Sequence, residues 1–137
     1  MQYWLLKSEP DVYGWDRLLA DGETVWDGVR NYTARNNLRA MQVGDEAFYY
    51  HSNIGREIVG ICRISRAAYA DPTDDSGKWS AVSVQPVRAF KRPVTLAEIK
   101  ADPALAQFQL VRQSRLSVVP VRPQEWRQVL AMETKEA

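Results

Sequence analysis

The sequence contains a single cysteine, Cys62, and a single histidine, His51, among its 137 residues. One cysteine excludes an internal disulfide and any zinc site built from several cysteines, and it favours a reducing, cytoplasmic setting. No apolar run approaches the ~18 residues that a membrane-spanning helix needs. The N-terminal segment lacks both the basic stretch and the small-residue cleavage site of a secretory signal. These absences predict a cytoplasmic protein with no membrane partner.

The common catalytic and cofactor-binding patterns are missing as well. A Ser-His-Asp triad would use His51 as its base, but Ser52 is its neighbour on a predicted strand, and neighbouring strand residues point to opposite faces. Cys62 lies within an apolar strand segment, where a thiol is usually structural and inert. No metalloprotease, phosphate-loop or dinucleotide-binding motif occurs, and the spacing of His51 and the carboxylates favours no metal site. We therefore expect binding rather than catalysis, with no catalytic residues, no metal and no cofactor.

Charge is balanced overall but unevenly distributed along the chain. Lysine and arginine number 18 against 17 acidic residues, which gives a formal net charge of +1. Basic and acidic side chains number two and six in residues 1–27, six and three in residues 28–69, and eight and three in residues 86–132. Arginines outnumber lysines 13 to 5, and a guanidinium group binds phosphates and base edges as a planar fork. The composition favours an anionic, planar partner, although the arginine usage of some genomes explains it equally well.

The length and the hydrophobic pattern predict one domain, residues 1–137, built on a mixed sheet. A chain with 45% hydrophobic residues at this length suits a single globular domain. Pro86 predicts a bulge or a strand edge. Short strands with irregular helices between them favour an α+β fold whose mixed sheet curls into a small barrel. Five or six strands are predicted, at residues 3–7, 47–51, 58–64, 79–90 and 115–121, with a strand or turn at 23–28.

Several short helices are predicted around this sheet by residues that commonly begin helices. Each of these residues is a polar side chain or a proline placed before a segment with helical spacing. A frayed tail is expected from about residue 133. The predicted helix starts are Asp11 or Asp16, Asn31 or Thr33 for a helix of residues 34–41, Thr95 with Glu98 as a capping box, Asp102 with Pro103 for a helix reaching about residue 108, and Pro123.

One segment, residues 26–38, gathers aromatic, amide and basic side chains around a loop that enters a helix. Such junctions expose backbone N–H groups at the positive end of the helix dipole. Trp26 and Tyr32 are placed to sandwich a flat ring, and Asn31 both donates and accepts hydrogen bonds, as reading a base edge requires. The alternative assigns Trp26 to the core and Asn31 to a helix cap, and spacing alone favours it. A stacking role predicts that Trp26→Ala weakens binding without unfolding the protein.

Polar side chains elsewhere extend the candidate site. Arg30 and Arg35 are placed to hold phosphates, or else are simply solvated. Residues 7–10 (KSEP) end the first strand, where they are placed to line the mouth of a pocket, and residues 50–53 (YHSN) end another. Residues 115–117 (RLS) are the weakest candidate. The ordinary alternatives are a strand exit, a hairpin shoulder and an unremarkable strand.

The residues of these segments resemble the EVE domain family. Three long, specific motifs match in family order: YWLLKSEP at residues 3–10, WDGVRNYTARN at residues 26–36 and GDEAFYYHS at residues 44–52. Shorter matches follow at residues 58–60, 68–71, 78–79, 94–100 and 115–118. The resemblance extends from Tyr3 to about residue 130, almost the whole chain. The chain resembles the bacterial members of the family, because its loop of residues 71–78 is short and it lacks a nuclear-localisation run.

The resemblance implies a PUA-like pseudobarrel with helices around it. It also implies binding to modified bases in nucleic acid, chiefly modified cytosine in DNA. The family is similar to YTH domains, which hold a methylated adenine of RNA in an aromatic pocket. Carried over position by position, the resemblance implies a base pocket made of Lys7, Ser8, Glu9, Trp26, Val29, Asn31, Tyr32, His51, Ser52, Leu116 and Ser117.

The implied mechanism is extrusion of one base into this pocket. Unstacking costs a few kcal/mol and a stacking aromatic contributes roughly 1–3 kcal/mol. Phosphate contacts from Arg30, Arg35 and Arg115 must therefore supply much of the affinity and make binding salt-sensitive. Two alternatives stay open: an RNA-binding module for a modified tRNA or rRNA base, and a small-molecule sensor or enzyme that uses His51 and Glu9. The sequence predicts no oligomeric state.

Overall fold

The structure, a computed structural model, describes residues 1–135 and is built on a six-stranded mixed sheet. The strands are β1 (Tyr3–Ser8), β2 (Thr24–Trp26), β3 (Glu46–His51), β4 (Glu57–Ala70), β5 (Ser80–Thr95) and β6 (Val118–Val121). Across the sheet they lie in the order β2-β5-β4-β3-β1-β6. Among these strands the β1–β3 pair is parallel and the other pairs are antiparallel. The predicted α+β class, mixed pairing and strand number are confirmed.

The longest pair, β4 with β5, is interrupted by bulges. The register steps from Ile61 opposite Arg88 to Cys62 opposite Pro86, so that Val87 is an extra residue on β5. The bulge predicted at Pro86 is therefore confirmed. A bulge bends and twists a strand pair, and this curvature suits the predicted pseudobarrel.

Short helices and one 3-10 turn surround the sheet. They are α1 (Pro10–Tyr13), α2 (Trp15–Asp21), α3 (Tyr32–Ala40), α4 (Leu96–Ala101), the 3-10 turn (Pro103–Leu105), α5 (Gln109–Arg112) and α6 (Pro123–Glu133). Thr95 and Glu98 form the predicted capping box of α4. Within residues 1–135, no helix combines the length and the apolarity needed to cross a membrane.

The helix starts in the first third of the chain differ from the prediction at two places. Neither Asp11 nor Asp16 is a cap, because α1 begins at Pro10 and α2 begins directly after Gly14. Proline suits the first helical position, where its missing N–H is not needed. Both aspartates therefore lie within first turns, where a negative charge favours the helix dipole. At α3 the cap is Asn31, one of the two predicted candidates.

Three boundaries near the C-terminus also differ. The helix predicted to reach residue 108 is only a 3-10 turn, and β6 begins at Val118 because Leu116 is held in a turn by its N–H donating to the carbonyl of Gln113. Glu133, where the sequence predicts fraying, is the last residue of α6 and is buried. Its carboxylate accepts hydrogen bonds from Arg88. The rest of the predicted tail includes residues 136–137, which lie outside the described residues.

Two hydrophobic cores lie on opposite faces of the sheet. Trp4, Leu6 and Tyr49 belong to the core covered by α2 and α3. Leu5 and Phe48, their neighbours along β1 and β3, belong to the core covered by α4, α5 and α6. Neighbouring strand residues point to opposite faces, so burial on both faces explains why β1 and β3 are almost continuously apolar.

The parallel pairing of β1 with β3 brings two polar segments to one edge of the sheet. Ser8 lies opposite His51 in the register, so the carboxyl ends of both strands meet there. The N–H of Ser52 donates to the carbonyl of Ser8 at 3.0 Å. The polar residues that end the two strands, 7–10 and 50–53, are therefore neighbours in space.

Candidate nucleic-acid interface

A cavity of about 510 Å³ opens between β1 and β2, and we call it the β1–β2 cavity. It is lined by Lys7, Ser8, Val12, Tyr13, Thr24, Val25, Trp26, Asp27, Gly28, Val29, Arg30 and Ser117. Five predicted pocket residues are among them: Lys7, Ser8, Trp26, Val29 and Ser117. Arg30, predicted as a phosphate ligand, joins them at the same cavity.

Trp26 lines the cavity and also belongs to the core. It is 9% exposed, and its ring packs edge-on against Tyr49, with centroids 5.6 Å apart and planes at 85°. The core position that one alternative assigns to Trp26 is thus found, and the same ring forms part of the cavity wall. Since truncating a buried tryptophan costs about 3–5 kcal/mol, Trp26→Ala is expected to lower the stability of the fold as well as to remove part of the cavity wall.

Lys7 places a cation at the cavity wall. Its Nζ donates to the carbonyl of Ser114 at 3.1 Å and, more weakly, to the carbonyl of Gln113 at 3.5 Å. Burial lowers the pKa of this ammonium group. A lysine ammonium has three N–H donors, so one donor stays free for a ligand.

Ser8 stands beside a hydrogen-bonded pair of tyrosines. The hydroxyl of Tyr49 donates to the carbonyl of Tyr13 at 2.6 Å. Burial raises the pKa of Tyr49, and a hydrogen bond with Ser8 offsets part of that rise. Tyr13 in turn donates its own hydroxyl to Asp21 at 2.7 Å. These bonds fix the α1 side of the cavity against the sheet.

The opposite wall, from Gly28 to Arg30, is held by Asp71. Oδ2 of Asp71 accepts from the N–H of Gly28 and from Nη1 of Arg30, each at 2.9 Å, and Oδ1 accepts from the N–H and hydroxyl of Thr73. Burial would raise the pKa of Asp71, which is 1% exposed, but these hydrogen bonds hold it well below its usual range. Gly28 takes a positive φ of 77°, which glycine adopts without strain. Asp71 is therefore a positioning residue for the cavity, although its sequence context predicts only a surface loop.

Besides Asp27 and Gly28, which lie within the predicted segment of residues 26–38, four lining residues lie outside every segment predicted for the site. Thr24 lies two residues before Trp26 in β2, so strand alternation places both on one face and makes Thr24 predictable. Val25 lies between them, where the same alternation predicts the opposite face, so its place in the lining could not be predicted in this way. Val12 and Tyr13 carry no local signal, because their position depends on how α1 folds back beside the end of β1.

Three predicted residues of the α3 motif face away from the cavity. The side chain of Asn31 accepts from the N–H of Ala34 as the cap of α3. Tyr32 is 57% exposed and stacks on Trp79, with centroids 4.9 Å apart. The predicted sandwich of Tyr32 with Trp26 is therefore not found, because the ring of Tyr32 stacks on Trp79 instead. Arg35 lies 4.8 Å from the centroid of Tyr32 and donates to a backbone carbonyl in the 71–79 loop.

Glu9, His51 and Ser52 also lie outside the β1–β2 cavity. Glu9 is exposed and precedes α1. Nε2 of His51 accepts from the N–H of Trp15 at 3.0 Å, and burial lowers the pKa of the imidazole. Ser52 lines a separate, smaller cavity. The structure thus gives His51 a structural partner on α2 rather than a place beside the Trp26 wall.

Arg115 and Leu116 are separated from Ser117. They line a groove of about 560 Å³ that also includes Asn31. Ser117 faces the β1–β2 cavity instead. The chain turns at these residues before β6 begins, so the predicted group divides between two surfaces.

The β1–β2 cavity combines an apolar wall with hydrogen-bonding groups of both kinds. The carboxylate of Asp27 accepts, the ammonium of Lys7 donates, and the hydroxyls of Ser8 and Ser117 do both. Within residues 1–135, no three His, Cys, Asp or Glu side chains are grouped to hold a metal ion. This arrangement suits a planar ligand with a polar edge.

Known proteins are similar to this chain in sequence and in fold. The EVE domain profile matches residues 2–132. Human thymocyte nuclear protein 1 is 39% identical to this chain in an alignment of 168 positions, which covers 98% of this chain and 75% of that protein. A structure from Rhodopseudomonas palustris is 50% identical with a TM-score of 0.93, over 99% of this chain and 97% of that chain. The human THYN1 protein in complex with DNA containing 5-methylcytosine is 38% identical with a TM-score of 0.91, over 100% of both chains. The chain therefore belongs to the EVE domain family.

Proposed function

We propose that this chain is a non-catalytic nucleic-acid-binding module that holds a modified base, modified cytosine of DNA in particular, in the β1–β2 cavity. The observation that carries the proposal is the complex of the human THYN1 protein with DNA containing 5-methylcytosine, which matches this chain over its full length. The cavity is the proposed base site because residues of the KSEP and WDGVRN segments meet there.

The lining suits the edge of cytosine. Cytosine presents an amino group that donates, and an aspartate carboxylate is a suitable acceptor for it. Asp27 supplies that carboxylate, and the free N–H of Lys7 is available to a ring acceptor. Trp26 supplies apolar surface for the ring and for a methyl group. A base with a small apolar substituent therefore finds both kinds of contact in one cavity.

A non-catalytic role fits the way in which the reactive side chains are engaged. His51 accepts a backbone hydrogen bond and does not line the cavity. Cys62 is buried, and burial raises the pKa of its thiol to about 12. Ser8 and Ser117 share the cavity lining with no histidine, so neither has an imidazole there to activate it.

Binding by base extrusion sets the energetic demands on the interface. Unstacking a base costs a few kcal/mol, and one aromatic contact contributes roughly 1–3 kcal/mol. Contacts to phosphates must supply the remainder, and each of them releases counterions from the nucleic acid. Affinity is therefore expected to fall steeply with salt.

The test is a fluorescence anisotropy titration with matched DNA oligonucleotides that carry cytosine, 5-methylcytosine or 5-hydroxymethylcytosine at one position. We expect tighter binding to a modified cytosine, and we expect Asp27→Asn to weaken binding of all three oligonucleotides several-fold, because each base carries the amino group that the carboxylate accepts from. Asp27 is exposed, so the variant keeps its fold. Asp75→Asn, an exposed carboxylate outside the cavity lining, is the matched control.

The alternatives give distinct outcomes in the same assay. Equal affinity for all bases contradicts the proposal. Tighter binding to a matched RNA with the modified base favours the RNA-binding alternative, since the 2′-hydroxyl distinguishes the two polymers. Binding of the free nucleoside as tightly as the oligonucleotide, with little salt dependence, favours the small-molecule alternative.

A further inference from the structure

A second cavity, of about 250 Å³, lies on the other side of Lys7 and is positively charged. It is bordered by the hairpin turn of residues 52–56, by α4 and by α5. Its polar lining residues are Lys7, Tyr50, Ser52, Asn53, Arg56, Lys100 and Ser114. Three of these are cations, and no aspartate or glutamate is among its described lining residues. We call it the basic cavity.

The cations of the basic cavity are not neutralised within residues 1–135. The ion pairs found among the described residues engage four other cations: Arg30, Arg88, Arg92 and Arg122. Arg56 and Lys100 are exposed and take part in none of them. Lys7 contributes its positive charge to this cavity, since two of its donors bind carbonyl oxygens and the third is the one proposed for the base. The cavity therefore presents uncompensated positive charge around polar donors.

The turn that carries Arg56 has a fixed and unusual backbone. Asn53 and Arg56 have positive φ angles of 68° and 49°, which residues other than glycine rarely adopt. Such conformations persist where the surroundings enforce them, and they concentrate at binding sites. Here the carbonyl of Arg56 accepts from the N–H of Leu96 at 2.8 Å, and the N–H of Ser52 donates to Ser8. Both ends of the turn are thus tied down, which holds Arg56 at the cavity.

We propose that the basic cavity binds a phosphate group of the strand whose base occupies the β1–β2 cavity, an inference that rests on the proposed function. Lys7 lines both cavities, so base and phosphate lie on either side of one side chain. The smaller volume and the three cations suit a phosphate, which offers oxygen acceptors and negative charge.

This assignment differs from the predicted phosphate ligands, which are Arg30, Arg35 and Arg115. Arg30 is already paired with Asp71. Arg35 donates to the carbonyl of Lys78 and to the side chain of Asn36. Since Arg30 and Arg35 already make these bonds and Arg115 lies at the separate groove that includes Asn31, the main electrostatic contact is placed at the basic cavity.

The test measures salt dependence in two cavity variants, Arg56→Gln and Lys100→Gln. Their affinity for the 5-methylcytosine DNA oligonucleotide is measured from about 50 mM to about 200 mM salt. We expect several-fold weaker binding at low salt and a slope of log K against log salt that is shallower by roughly 0.7–0.9 for each phosphate that the variant no longer neutralises. The preference for methylated over unmethylated cytosine is expected to stay unchanged. Arg63→Gln, an exposed arginine of β4 outside both cavities, is the matched control.

The inference is overturned if both cavity variants keep the affinity and salt slope of Arg63→Gln. Lys100→Gln decides the matter even if Arg56→Gln alters the strained turn, because Lys100 lies exposed in the last turn of α4.

A titration with inorganic phosphate, followed by amide resonances, separates the two sources of phosphate, a free anion and the backbone of the bound strand. Loss of phosphate binding in the variants with oligonucleotide binding intact assigns the cavity to a free anion and overturns the strand contact. Failure of the proposed function looks different: the wild-type protein then shows no base preference while the salt effect of the variants remains.

Discussion

Arg30 and Asp71 form an ion pair at 2.9 Å between positions 41 residues apart in the sequence. The side chain of Asp71 is fully buried at 0% exposure, whereas that of Arg30 is 39% exposed. A fixed carboxylate thus orients a side chain that faces the β1–β2 cavity. The same carboxylate oxygen holds the N–H of Gly28, so one residue of a distant loop sets the shape of a whole cavity wall.

Replacing Asp71 with asparagine is expected to disturb both stability and binding. The buried site loses a charge-assisted bond to Arg30, so the free energy of unfolding should fall by about 1–3 kcal/mol. Binding of 5-methylcytosine DNA should weaken several-fold because the Gly28–Arg30 wall loosens. Urea unfolding and anisotropy measure the two effects. Asp75→Asn in the same loop should change neither, and a similar result for Asp71→Asn would contradict the positioning role.

Trp26→Phe separates the two roles of this tryptophan better than Trp26→Ala. Truncation to alanine should lower the free energy of unfolding by about 3–5 kcal/mol, whereas phenylalanine keeps an aromatic core residue. The phenylalanine variant should remain folded and bind the modified oligonucleotide several-fold more weakly. Trp79→Phe controls for loss of a tryptophan outside the cavity. The opposite pattern, with Trp79→Phe the weaker binder, would place the base on the exposed stack of Tyr32 with Trp79.

The stability of the protein should decline as pH falls below neutrality because of His51. Burial lowers the pKa of this imidazole from its ordinary 6.5, against the opposite influence of Glu57 and Asp16. The unfolded chain therefore takes up the proton at higher pH than the folded protein. The stabilising contribution is complete above about pH 6.5 and is lost progressively as pH drops to the folded-state pKa. A bound proton on Nε2 also removes the acceptor for the N–H of Trp15.

Melting temperatures between about pH 7.5 and about pH 5.5 check this behaviour, since histidine is the side chain that titrates there. His51→Gln supplies an amide oxygen as an uncharged acceptor. That variant should show a flatter pH profile than the wild-type protein. Identical slopes in the two proteins would exclude His51 as the source.

Glu133 should be a stability residue rather than part of a loose tail. Its carboxylate accepts from both terminal nitrogens of Arg88 at 2.6 and 2.7 Å and from the N–H of Lys91 at 2.9 Å. Glu133→Gln should lower the free energy of unfolding by about 1–3 kcal/mol, measured by urea denaturation. Arg127→Gln, exposed on the same helix, is the control. An unchanged midpoint for Glu133→Gln would agree with fraying from residue 133 instead.

Features decided within a few residues could be predicted from the sequence. The cap at Asn31 and the capping box of Thr95 with Glu98 depend on hydrogen bonds that span three residues, so the motif alone indicates them. The strands follow from runs of apolar residues in the same way. The starts of α1 and α2 differ from the prediction because several polar residues compete there, and the position of Pro10 decides between them.

The division of the site into separate surfaces could not be predicted in this way. Tyr32 lies in the same motif as Trp26, but its ring direction is set by Trp79, a residue of another loop. Asp71 reaches the cavity only because β4 and β5 return the chain beside β2. Side-chain direction and long-range contacts thus decide which residues of a recognisable motif share a cavity.

The interior position of β1 has a consequence for biosynthesis. Of the six strands of this sheet, β1 is synthesised first and lies between β3 and β6, where Tyr3 pairs with Val121. Until residues 118–121 emerge, β1 has an unpaired edge that is open to other strands. Pairing between distant segments also slows folding. A nascent chain of this protein therefore completes its sheet only after β6 has been synthesised, and a chain released before that point is expected to aggregate rather than to fold in part.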